Sequence, residues 1–98
     1  MAIRVIVELK ALPGKRDELT SLMESLIIAT QGAAQSGFLG SKRYEVLDDS
    51  DTVVEIADWE SAEARMRHME EAAAAGTYAP LAELLAAPFR VTVIRQLA

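Results

Sequence analysis

The sequence predicts one α+β domain over residues 1–98, a four-stranded antiparallel sheet with helices on one face. Three observations predict it. Residues 3–10, 38–47, 52–59 and 89–97 read as strands, the first and third with clear two-residue alternation. The segments opening at Lys15 and Ser61 carry apolar residues three and four positions apart, the spacing of one helix face. Their order is strand, helix, strand, strand, helix, strand, the βαββαβ split unit.

In the first strand Ile3, Val5, Val7 and Leu9 share one face, and Leu12-Pro13-Gly14 ends it. Leu19, Leu22, Met23, Leu26 and Ile27 then form a helical stripe that should stop between Gly32 and Gly37. Phe38 to Leu47 reads as the second strand. Asp48-Asp49-Ser50-Asp51 reads as a polar turn, because Asp and Ser side chains satisfy the amides of tight turns. In the third strand Val53, Glu55, Ala57 and Trp59 alternate with Val54, Ile56 and Asp58. Ser61 is placed to cap the second helix, and Glu60 and Glu63 suit its positive end. The inward stripe of that helix is expected at Ala62, Met66, Met69 and Ala73, with Gly76 as terminator. Pro80 to Ala87 reads as a short third helix with proline in its first turn, and Phe89 to Leu97 as the closing strand.

The second sheet face would carry Ile6, Tyr44, Val46, Val54, Ile56 and Ile94, more contiguous apolar surface than a monomer leaves in water. No spare element covers it, so a homodimer packed through the open sheet face is expected. A net charge of −5 with scattered Lys and Arg argues against nucleic acid or an anionic membrane as partner. The absence of cysteine excludes a thiolate nucleophile, a cysteine-held metal and a disulfide framework, and fits the cytoplasm. No stretch reads as a signal peptide or a membrane span, so a soluble, unexported protein is expected.

There is no glycine-rich phosphate loop and no serine nucleophile motif, and one histidine cannot make a two-histidine metal site. Asp48-Asp49-Ser50-Asp51 lacks the Gly and distal Glu of a calcium loop. His68 is the one side chain that ordinarily titrates near neutrality, hence the candidate general base or acid. At about 100° per residue it lies roughly 120° from the centre of the Met66 and Met69 stripe, beside Ala64 and Ala72. There it faces either a cleft or water. Trp59 either fills the core or walls a pocket, and Tyr44 and Tyr78 either orient a phenolic ligand or sit at an interface. Met66 and Met69 serve as core or as flexible lining for a planar apolar ligand.

Leu12-Pro13-Gly14-Lys15-Arg16-Asp17-Glu18-Leu19, Ser36-Gly37-Phe38-Leu39-Gly40 ahead of Tyr44, and Glu55 to Trp59-Glu60-Ser61 with His68 downstream resemble the antibiotic-biosynthesis monooxygenase family over nearly the whole chain. The resemblance implies a ferredoxin-like dimeric α+β barrel. It also implies a pocket between sheet and helices for small aromatic or quinol-like molecules, oxidised by O₂ without metal, flavin or haem in several members. Haem-degrading relatives use an asparagine on the first strand and a tryptophan and histidine ten residues apart after the start of the second helix. Val7, His68 and Tyr78 stand at those places here. Ser36-Gly37-Phe38 replaces the more usual acidic-Pro-Gly-Cys turn.

Two functions follow as expectations. In the first, a cofactor-independent monooxygenase, His68 deprotonates an aromatic, quinol-like or polyketide-like substrate walled by Trp59 and Met66/Met69 and oriented by Tyr44 and Tyr78. In the second, a non-catalytic dimer of the same fold binds a small apolar metabolite or another protein. An isomerase on this scaffold is a third.

Overall fold

The computed structural model describes residues 2–32 and 37–97. The first alternating run becomes β1 (Ile3–Lys10), followed by α1 (Arg16–Gly32), β2 (Phe38–Val46), β3 (Asp49–Trp59), α2 (Ala62–Ala75), a single turn α3 (Ala79–Ala82) and β4 (Arg90–Ile94). The strands pair antiparallel in the order β2-β3-β1-β4, the sheet expected of the split unit. Ser36, part of the turn singled out in the sequence, lies outside the described residues.

Several boundaries differ from the expected ones. The hairpin turn is confined to Leu47 and Asp48. The next three polar residues join β3, where the Asp49 carboxylate accepts from the Asp51 amide at 3.3 Å and the Thr52 hydroxyl at 2.7 Å. The third helix ends at Ala82 instead of Ala87. Residues 84–86 turn back onto the end of β1: the Leu12 amide donates to the Leu84 carbonyl and the Ala86 amide to the Lys10 carbonyl, both at 2.8 Å. β4 stops at Ile94, which pairs with Arg4, one residue from the start of β1.

The helix-facing side of the sheet holds two apolar clusters. Leu9, Ala11, Val53 and Leu81 pack with Leu19 and Met23 of α1, and Ile3, Val5, Ala57 and Trp59 form the second, joined by Phe38 and Met69. Val7 touches both clusters. On the opposite face lie Ile6 beside Ile56, Val54 beside Tyr44, and Ile94 beside Arg4, whose guanidinium pairs with Asp58 at 2.9 Å.

The caps of α2 form as the sequence indicates: Ser61 Oγ accepts from the Ala64 amide at 3.1 Å, and Gly76, left-handed, closes the helix onto the carbonyls of Ala72 and Ala73. Its inward stripe does not. Ala64 and Ala72 are the buried residues of this helix, while Met66 is 52% exposed and Ala62 and Ala73 face solvent. The helix is therefore turned so that 64, 68 and 72, spaced by four, point at the sheet.

The cause is a close approach at the start of β2. The Glu60 amide donates to the Gly37 carbonyl at 2.9 Å, and a Cβ on Gly37 (φ +77°) would come within 2.6 Å of the Ala64 Cβ. Two small residues meet there, and a methionine at position 64 could not.

Leu19 is fully buried, so Leu19→Ala should cost about 2–5 kcal/mol, read from chemical denaturation. The apolar outward face predicts a solution mass of two chains by size exclusion with light scattering at micromolar concentration; a clean monomer contradicts it.

Candidate functional site

Between the two clusters lies a cavity of about 130 Å³, walled by Val5, Val7 and Leu9 of β1, by Met23, Leu26 and Ile27 of α1, and by Phe89 and Val91 at the start of β4. The wall is apolar except where β3, α2 and the segment before α3 bring Glu55, Trp59, Arg65, His68 and Tyr78 together, with Thr30 on α1. The Thr30 hydroxyl is spent on the Leu26 carbonyl at 2.9 Å.

Trp59 is the last residue of β3 and is 3% exposed, with its ring against Phe38 at 5.1 Å between centroids and 60° between planes. The His68 ring lies 5.2 Å from the Trp59 ring, tilted 44°. Tyr78 reaches back from beyond the Gly76 cap and places its hydroxyl 3.0 Å from His68 Nε2. The aromatic and imidazole nine residues apart in sequence thus form one contact chain, Phe38, Trp59, His68, Tyr78, along the cavity.

Of the residues expected to make a site, Trp59, His68, Met69 and Tyr78 line this cavity. Tyr44 and Met66 do not. Tyr44 pairs with Val54 on the outward sheet face and is 47% exposed; Met66 is carried to the solvent side by the rotation of α2. Glu55 and Arg65 line the cavity although they were not among the expected site residues. The signal for Glu55 was present, since it shares the inward strand face with Val53, Ala57 and Trp59. Arg65 had none, because its place depends on the phase of α2.

The profile of the antibiotic biosynthesis monooxygenase family matches residues 2–79. The chain belongs to this family. Among solved structures it is similar to a conserved protein from Methanosarcina mazei Go1, 22% identical, covering 99% of this chain and 94% of that one with a TM-score of 0.84. It is also similar to Rv0793 from Mycobacterium tuberculosis, 26% identical over 100% and 97% of the two chains, TM-score 0.81. SnoaB, a cofactor-independent oxygenase from Streptomyces nogalater, is 16% identical over 97% and 92%, TM-score 0.81, and shares the fold. No curated protein matches the chain in sequence.

Burial is the largest influence on the pKa of three groups that line the cavity. Burial lowers the His68 pKa from its ordinary 6.5, with Glu71 acting against it. Burial raises Tyr78, aided by the Glu55 charge and opposed by Arg65. Burial also raises Glu55, opposed by Arg43, its register neighbour on β2. With His68 neutral and its proton on Nδ1, the Tyr78 hydroxyl donates to Nε2 and leaves its own oxygen lone pairs to the cavity. Among the described residues no helix is long and apolar enough to cross a membrane, and no group of three or more His, Asp or Glu side chains is arranged to hold a metal ion.

The His68 resonances should titrate with a midpoint below 6.5 in an NMR pH series. Because the folded pKa is the lower one, this histidine's stabilising contribution is present above the unfolded value and is lost as pH falls through the folded one. A midpoint above 6.5 contradicts the burial.

Proposed function

We propose that this chain is a monooxygenase acting with O₂ on a small aromatic, quinol-like or polyketide-like molecule held in the cavity, with His68 taking the substrate proton through Tyr78. The single observation behind this is the 3.0 Å bond between Tyr78 Oη and His68 Nε2 inside a largely apolar cavity. A neutral imidazole is a competent acceptor, and the hydroxyl wedged before it is a proton relay. Family membership supports an oxygenation, and SnoaB carries out a cofactor-independent one on this fold.

The cavity volume of about 130 Å³ suits one aromatic ring. An apolar cavity of roughly 150 Å³ holds benzene. A larger substrate would place one ring inside and the remainder at the mouth. Trp59 and Phe38 pack edge to face and leave a wall for that ring, with Met69 beside them.

The chemistry balances without an added reductant. A substrate methylene made acidic by an adjoining ring and carbonyl loses a proton to Tyr78 while Tyr78 passes its own to His68. The carbanion gives one electron to O₂, and the resulting radical pair combines into a peroxide that takes the proton back from His68. The second C–H proton then leaves to His68, its bonding pair forms the C=O as the O–O bond breaks, and the expelled hydroxide takes that proton as water. The net change is CH₂ plus O₂ to C=O plus H₂O, with both electron pairs drawn from the substrate. The apolar walls keep bulk water from the carbanion. The enzyme works as a homodimer joined through the outward sheet face, and the lack of cysteine is compatible with the cytoplasm.

Metal-stripped protein in an oxygen electrode, supplied in turn with hydroquinones, catechols and anthrones, should consume O₂ with at least one of them. His68→Ala should slow that consumption about 10²- to 10⁴-fold. Undiminished rates in the variant remove the base. Thermal stabilisation by these compounds with no O₂ uptake makes the chain a binding module, and product without O₂ uptake makes it an isomerase.

A further inference from the structure

On the helix-facing side of the sheet, Glu55 of β3 stands opposite Arg43 of β2 in register, and Glu55 lines the cavity. Directly opposed residues of an antiparallel pair project to one face, with Cβ atoms about 4.5–5.5 Å apart. No hydrogen bond or ion pair joins the Glu55 carboxylate to another described residue. Arg43 stands outside the cavity wall, and its Nη1 is buried with no hydrogen-bond partner among the described residues. Glu45, the next residue of β2 on that face, pairs with Arg16 at 3.4 Å, whereas the charge of Arg43 acts on Glu55.

A guanidinium stays charged in a protein, and a buried one without a countercharge is costly. Glu55 supplies that countercharge only when it is ionised. It then faces a largely apolar cavity in which no described donor meets it, and burial opposes the charge. A hydroxyl hydrogen brought by a ligand stabilises the carboxylate and, through it, the buried Arg43. An apolar ring without a hydroxyl leaves both costs in place.

We propose that Glu55 is the carboxylate that recognises the substrate, accepting a hydrogen from a hydroxyl on the ring inside the cavity, while Arg43 is the positioning residue that supplies its countercharge from β2. The proposal rests on the reading of the cavity as a substrate site and narrows the substrate to a hydroxylated ring. Trp59, Phe38 and Met69 hold that ring by its apolar surface, and Glu55 selects the edge that turns toward β3. Tyr78 and His68 are left free to move the reacting proton.

The test is anaerobic calorimetry at pH 7 with phenol and toluene on the full chain, two ligands of like shape that differ in the one hydroxyl. The ratio of phenol to toluene affinity should fall about tenfold in Glu55→Leu, the size expected for a hydrogen bond to a charged group. It should fall less in Glu55→Gln, which keeps an acceptor oxygen without the charge, and thermal melting shows which variant is folded. Besides Arg43, the titratable groups facing Glu55 are Arg65 and His68 of α2 and Tyr78 beyond its cap, so the Glu55 carboxyl is followed directly by carbon NMR. Phenol, and not toluene, should move its titration to lower pH, because a donor favours the ionised form. Arg43→Met should move it to higher pH, whereas loosened packing that admits water moves it lower. An unchanged affinity ratio in the folded variants, or a Glu55 titration indifferent to phenol or to Arg43→Met, overturns the proposal. Binding of neither ligand overturns it together with the cavity as a substrate site. Phenol preference without O₂ uptake on any substrate removes the oxygenase reading alone and leaves the recognition in place.

Discussion

The Glu60 amide donates across the sheet-to-helix junction to the carbonyl of Gly37, and that bond, with Ala64 pressed against Gly37, sets the phase of α2. Three neighbouring facts depend on it. It brings the start of β2 against the end of β3, where Phe38 meets Trp59. It turns Ala64, His68 and Ala72 toward the sheet. It sends Met66 to the solvent, although methionine is the more hydrophobic side chain. Close packing of backbone against helix needs small residues at the contact, and here the steric requirement outweighs the gain from burying one methionine.

With the helix phase set, the electrostatics of the cavity follow from position. A largely apolar space holds four titratable groups that reach it from three separate places: Glu55 from β3, Arg65 and His68 from α2, and Tyr78 from beyond the helix cap. Burial disfavours the charged forms of three of them, lowering the pKa of His68 and raising those of Glu55 and Tyr78. A histidine and a tyrosine hydrogen-bonded to each other and shifted this way, in a largely apolar cavity, are suited to passing a proton between them. The two edges of the sheet are treated differently: β2 is held to the helices through Gly37, whereas every residue of β4 is exposed, and its inward Val91 forms part of the cavity wall.

The candidate site was legible in part. Trp59 was placed correctly beneath the helices because a strand alternates with a period of two whatever its surroundings, so one neighbour such as Val53 or Ala57 determines its face. The same rule placed Glu55 inside. His68 was assigned to the flank of α2 because hydropathy alone ranks Met66 and Met69 above Ala64 and Ala72. In a helix as rich in alanine as this one, hydropathy determines the phase poorly. Tyr44 fell on the outward face for the same period-two reason, since its neighbour in register, Val54, lies opposite the inward Val53 and Glu55.

What the sequence by itself determined are the features with local causes: the order and type of the elements, the Ser61 and Gly76 caps, the face of each strand residue and the helical stripe of α1. Each depends on contacts within a few residues of chain, and those contacts are the same in any fold. Tertiary structure decided the features that depend on distant partners. These are the rotation of α2 against Gly37, the early end of α3 where residues 84–86 bond to the end of β1, and the meeting of His68 with Tyr78. A helix of nearly uniform small residues carries little information about its own orientation, so the surface it packs against supplies it.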